Sequence, residues 1–180
     1  MFPKTLAAIN SVVMLHANSP LQIGTIAKLV GVTRSEALSA LETLEKRGLV
    51  TRTRRLNHDE IAPAKKSPYY PAAYHTALVD MPIDAVLASH RWHAVFVYGS
   101  MSHRDGRRES DIDLLIIGRI HETEARRLQL DLVDLGMKVY GRPFDALVVG
   151  PEAVRAGLAS DDPHMVHAVR EGVLIRGEWQ

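Results

Sequence analysis

The chain has 180 residues, 22 Lys and Arg against 21 Asp and Glu, and 46% hydrophobic residues. That composition builds one ordinary globular domain or two small ones and excludes wholesale disorder. Cysteine is absent, which excludes disulfides, thiolate metal sites and a cysteine nucleophile. No run reaches the ~20 apolar residues of a membrane span, and the N-terminus lacks the pattern of a signal peptide. The expectation is a cytoplasmic protein with no membrane contact.

Charge divides unevenly along the chain. Residues 1–75 hold ten basic and five acidic side chains, and residues 76–180 hold twelve basic and sixteen acidic. A basic half joined to an acidic half suggests two modules with different partners, the basic one suited to phosphate backbones.

Residues 4–16 predict a helix with Leu6, Ile9, Val12 and Val13 on one stripe. Ile23 to Val30 predicts a second, and Gly31-Val32 a tight turn. Thr33 with Glu36 three residues later forms a capping-box pattern that starts a third helix. That helix runs to about Arg47, with Ala37, Leu38, Leu41 and Leu44 on its inner face, and Gly48 ends it. Residues 49–54 alternate as a strand. Residues 55–67 predict a hairpin tip or loop, and Tyr69-Tyr70 the start of a return strand. Two short helices with a Gly turn and a basic hairpin behind them suit a helix-turn-helix with a wing. The second helix would present Thr33, Arg34 and Ser35, with Glu36 and Ser39, to a major groove. The wing would lay Arg52, Arg54, Arg55, Lys65 and Lys66 along the backbone.

Residues 72–90 predict helix, broken at Met81-Pro82. Strand and helix then alternate. Strands are expected at 95–98, 113–117, 144–149 and 173–175, and helices at 122–136, 151–160 and 163–171. The chemistry lies at strand ends. Gly99 lacks a Cβ, so backbone N–H groups can approach an anion closely, and the Ser100 hydroxyl can donate to a phosphate oxygen. Asp111 and Asp113 are two apart on a strand, so their carboxylates share a side. They repel unless a cation such as Mg²⁺ lies between them. Asp145 opens another apolar strand and is a candidate third ligand or base. His164 and His167 share a helical spacing for a metal, with no third ligand at fitting spacing nearby.

Two resemblances follow from these residues. The run TIAKLVGVTRSEALSALETLEKRGLV resembles the winged helix-turn-helix of bacterial transcription regulators, over about residues 5–72. Gly99-Ser100, Ser110-Asp111-Ile112-Asp113 and Asp145 resemble the minimal nucleotidyltransferases of the polymerase-beta-like superfamily, over about residues 90–178. The second resemblance implies a small mixed sheet, two Mg²⁺ ions and a nucleoside triphosphate donor. It gives phosphate contacts to Gly99 and Ser100, metal to Asp111 and Asp113, and metal or base to Asp145. One departure is the loop Met101-Ser102-His103-Arg104-Asp105-Gly106. His103 stands where that family often has Arg, and Arg104 where it often has Gly. Arg104, Arg107 or Arg108 would then supply the charge for the triphosphate.

The expected architecture is α+β: a winged helix-turn-helix at 1–75, a linker helix at 76–90 and a small mixed-sheet nucleotidyltransferase-like α/β domain at 91–180. The leading functional expectation is a metal-dependent nucleotidyltransferase acting on an unknown acceptor, coupled to DNA binding. The alternative is a DNA-binding regulator whose second module senses a nucleotide, or pairs with a toxin-type protein partner, without turnover. Family habit makes a homodimer an expected state, with the helix at 4–16 as its interface.

Overall fold

The computed structural model describes residues 3–104 and 110–179. They fall into two compact units that divide between Met81 and Pro82.

The first unit opens with α1 (Pro3–Leu15), followed by β1 (Leu21–Gln22), α2 (Ile23–Val30), α3 (Arg34–Lys46), β2 (Val50–Arg54), β3 (Asp59–Pro63) and α4 (Tyr70–Val79). The turn between α2 and α3 needs Gly31, whose φ of 71° lies in the left-handed region. The capping box forms as the residues dictate. Thr33 Oγ1 accepts from the Glu36 amide at 3.2 Å, and the Thr33 amide donates to Glu36 Oε2 at 2.9 Å. The Thr33 hydroxyl, which donates to Glu36 Oε2 at 2.7 Å, and then the Thr33 amide hold the Glu36 carboxyl below its usual range. Thr33→Ala removes the cap and is expected to cost about 1 kcal/mol in the stability of this unit. Urea unfolding of parent and variant measures it.

Ala37, Ala40, Leu41 and Leu44 form the inner face of α3, while Leu38 is only half-buried. They meet Ile9, Val12 and Val13 of α1 and Ile26 of α2 in one core, which Ile61, Tyr74 and Leu78 complete. Residues 11–17 are buried throughout, and Ser11 Oγ donates to the Ala77 carbonyl of α4 at 3.2 Å. The apolar face of α1 is therefore occupied inside its own unit.

The wing differs from expectation in its return strand. Chain reversal occurs at residues 55–58, where the Arg55 amide donates to the His58 carbonyl at 2.8 Å. β3 then pairs antiparallel with β2, Val50 opposite Pro63 and Arg54 opposite Asp59. Ile61 and Pro63 supply the buried positions of β3. Tyr69-Tyr70 does not return as a strand. Tyr70 starts α4, with Pro71 in the first helical turn where a missing amide hydrogen costs nothing. The two-residue β1 adds a third strand against β3.

The segment 76–90 is not one linking helix. Its first part belongs to α4 of the first unit, and α5 (Asp84–Leu87) belongs to the second. Pro82 interrupts the helical pattern between them because it lacks an amide hydrogen.

The second unit continues with β4 (Trp92–Val97), a 3-10 turn at Gly99–Met101, β5 (Ile112–Gly118), α6 (Glu122–Tyr140), β6 (Phe144–Val149), α7 (Pro151–Ala159), α8 (Pro163–Val166), a π-helical turn (His167–Glu171) and β7 (Val173–Gly177). The sheet order is β6-β5-β4-β7, with β5 and β6 parallel and the other pairs antiparallel. β5 is an apolar inner strand, buried at Ile112 and from Leu114 to Gly118. Leu115 and Ile117 share a core with Ala94, Phe96, Val154 and Ala168, on the face that α7 and the π-helical turn cover. α6 packs against β6, where Gln129 Nε2 donates to the Ala146 carbonyl at 2.6 Å. Arg176 of β7 grips Asp84 of α5 through two bonds, at 2.6 and 2.9 Å. Its guanidinium holds the Asp84 carboxyl below the usual range.

Candidate functional site

In the first unit the functional side chains stand at the start of α3 and on the wing. Arg34 and Ser35 are exposed in the first turn of α3, with Ser39 exposed one turn on. Thr33 is exposed too, but its hydroxyl and amide are both committed to Glu36, so its role is the cap. The wing arginines meet wing acids. Arg54 Nη1 lies 3.0 Å from Asp59 Oδ1, and Arg55 Nε lies 2.9 Å from Glu60 Oε2. Arg52 lies between Glu45 at 3.6 Å and Asp59 at 4.0 Å, and its side chain is only 23% exposed. It ties the wing to α3. Arg54 and Arg55 keep exposed guanidinium groups at the tip, beside a fully exposed Leu56. Lys65 bonds to the Asn18 side chain.

In the second unit the carboxylates gather at one end of the sheet. Asp113 of β5 is the register partner of Asp145 of β6. Parallel pairing places both on one face, the face of Leu115 and Leu147. Asp111 stands one residue before β5 and is exposed. The entry to β5 is anchored nearby: Arg142 donates to the Ser110 carbonyl at 3.3 Å, and the Ile112 amide donates to the Pro143 carbonyl at 3.1 Å.

Burial pushes the Asp113 carboxyl above its usual range, and the charges of Asp145 and then Asp111 push it further. His167 acts in the opposite direction. Tyr98, half-buried at the end of β4, has its hydroxyl pKa raised by burial and by Asp113 and Asp145. Negative charge therefore gathers around Asp113, offset in part by His167, an arrangement that suits a divalent cation. The three aspartates do not bring their oxygens within 4.8 Å of one another, however; among the described residues the one such group is His103, His167 and Glu171.

Gly99 follows the end of β4 with φ 66°, against the Asp113 carboxylate. A Cβ at Gly99 would lie 2.3 Å from Asp113 Oδ2. Ser100 is half-buried beside it, and Ser102 Oγ donates to the Gly99 carbonyl at 2.9 Å. Arg104 is exposed with φ 63°, a left-handed conformation that glycine adopts at little cost. Arg107, Arg108 and the glycine at 106 lie outside the described residues.

The sequence singles out His167 only as a partner of His164 and His103 only as a loop departure; it does not reveal Glu171 or that His103, His167 and Glu171 meet. The spacing of His167 and Glu171 is a usable signal, but the third member lies 64 positions earlier than His167.

The first unit thus has the architecture of a winged helix-turn-helix, and the second is a four-stranded mixed sheet with helices. Residues 4–57 match the MarR family, which supports the winged helix-turn-helix. No curated protein matches the chain. Among the described residues, no helix is long and apolar enough to cross a membrane.

Proposed function

We propose that this chain is a DNA-binding transcription regulator whose second unit takes a nucleoside triphosphate with Mg²⁺ as its ligand. The observation that carries the proposal is the match at residues 4–57 over a helix pair that leaves Arg34 and Ser35 exposed. The first residues of α3 enter the major groove, and Arg34 contacts a base edge or phosphate. Arg54 and Arg55 supply backbone contacts at the wing tip. Their pairing with Asp59 and Glu60 lowers what each adds, because binding must first break an ion pair. Two copies reading a two-fold site form the working unit.

Selection from random-sequence duplexes tests this reading. One enriched sequence is expected, and Arg34→Ala lowers affinity for it by about 10-fold or more, the scale of one base contact. Absence of any enriched sequence, or an unchanged footprint with Arg34→Ala, overturns it.

A second reading, attack of an acceptor hydroxyl on the α-phosphate of a nucleoside triphosphate with release of pyrophosphate, is favoured by the pairing of Asp113 with Asp145 beside Gly99 and Asp111. Asp111, Asp113 and Asp145 would hold Mg²⁺. The metal, when bound, offsets phosphate charge and acidifies a bound hydroxyl. The Gly99-Ser100 turn orients the phosphates, with the Ser100 hydroxyl as donor. Arg104 adds positive charge from the loop, and Asp145, exposed at its strand, accepts the acceptor's proton. Incubation with Mg²⁺ and each α-labelled nucleoside triphosphate, with cell extract, decides between the readings. Label transferred by the parent and not by Asp113→Asn establishes transfer. Binding without transfer leaves the nucleotide as a regulatory ligand.

A further inference from the structure

The geometry points to a transition-metal site formed by His103, His167 and Glu171, separate from the aspartates and independent of the nucleotide reading. Chain topology brings the three together. His103 follows the 3-10 turn at the end of β4, while His167 and Glu171 open and close the π-helical turn. π-Helical turns are rare and are frequent at functional sites. His167 Nδ1 lies 2.7 Å from Glu171 Oε2, and His103 Nε2 lies 3.7 Å from the same oxygen. One ligand atom from each residue lies within 4.8 Å of the others.

The donor set selects the ion. Two imidazoles and one carboxylate suit Zn²⁺, Co²⁺ or Ni²⁺, whereas Mg²⁺ prefers oxygen alone. Tetrahedral bonds of about 2.0–2.1 Å require ligand atoms about 3.3 Å apart. The His103–Glu171 separation of 3.7 Å is close to that spacing. The shorter His167–Glu171 contact is a hydrogen bond, and its proton leaves when a metal takes its place. Three protein ligands leave a fourth position open to water or another oxygen donor.

The surroundings favour the ion as well. The Tyr98 ring stands edge-on to His167, with ring centres 6.4 Å apart, and limits the orientation of the imidazole. The same His167 feels the charge of Asp113, so the carboxylates of the sheet end add a negative field. A metal here clasps the loop carrying His103 to the turn before β7.

The test uses the full-length protein carrying Asp111→Asn and Asp113→Asn, which removes the aspartate pair. Titration with Co²⁺ is expected to give the visible absorption of a tetrahedral ion at one equivalent per chain. Zn²⁺ abolishes the absorption, and excess Mg²⁺ leaves it unchanged. His103→Ala and His167→Ala each weaken Co²⁺ binding by about 10-fold or more. His103 is 50% exposed, so its truncation leaves the fold intact and the comparison valid. Absence of a tetrahedral spectrum, unchanged affinity in His103→Ala, or equal competition by Mg²⁺ overturns the site. Loss of nucleotide binding in the double-Asn background tests the aspartates alone, so the two proposals fail separately.

Discussion

Asp113→Asn is expected to raise the melting temperature of the second unit and to abolish the further rise that Mg²⁺ and nucleoside triphosphate give the parent chain. Asp113 and Asp145 are register partners on adjacent strands, and burial already disfavours the Asp113 charge. Like charges directly opposite on a sheet destabilise it by about 0.5 kcal/mol, which corresponds to about 2 °C for a chain of this size. The neutral amide relieves that repulsion and removes a metal ligand. In the parent, a ligand at about 100 times its dissociation constant adds about 2.7 kcal/mol, or about 5–10 °C.

The sign of the pH dependence follows from the direction of the shift. The folded carboxyl has a pKa above its unfolded value, so the penalty is fully present above the folded pKa. It falls as pH drops through that value and vanishes below the unfolded one, near pH ~4. The advantage of the Asn variant should shrink over the same interval. Thermal unfolding with and without Mg²⁺ and nucleotide measures both effects. A ligand-induced rise that survives in Asp113→Asn removes Asp113 from the metal site.

Gly99→Ala is expected to disable the same site while every carboxylate remains. Two independent strains arise. The residue has φ 66°, where a side chain costs about 1–2 kcal/mol. The new methyl would also lie 2.3 Å from Asp113 Oδ2 and 3.2 Å from its Cγ, so the carboxylate must swing away. Stability falls by about 1–2 kcal/mol, and nucleotide binding with Mg²⁺ weakens by about 10-fold or more, the scale of one displaced ligand or supporting group. A double-mutant cycle with Asp113→Ala separates the strains. Truncating Asp113 relieves the contact and leaves the backbone cost, so Gly99→Ala should cost less stability in the Asp113→Ala background than in the parent chain. Strict additivity would mean that Gly99 matters through its backbone alone.

Short-range patterns are legible in the amino-acid order. The capping box of Thr33 and Glu36 spans three residues, and the α2 and β6 boundaries match the expected ones at Ile23–Val30 and Phe144–Val149. Asp113 and Asp145 are recognisable as acids on otherwise apolar strands. Elsewhere a plausible local pattern misleads. Tyr69 and Tyr70 have strand propensity, yet Pro71 fits a helix start, and the polar run before them holds the real return strand. Arg52 reads as one of a row of wing cations, but its neighbours are Glu45 and Asp59.

The helix pair, the cap, the wing's first strand and the order of strands and helices in the second half are set by local residue order. The reason is that periodicity, capping and turn chemistry act between residues a few positions apart. Three-dimensional packing alone places the apolar face of α1 inside its own unit, Asp113 level with Asp145, and His103 against His167 and Glu171. Those relations join residues far apart in the chain, and they depend on strand register and on how helices pack across the sheet, which no local pattern encodes.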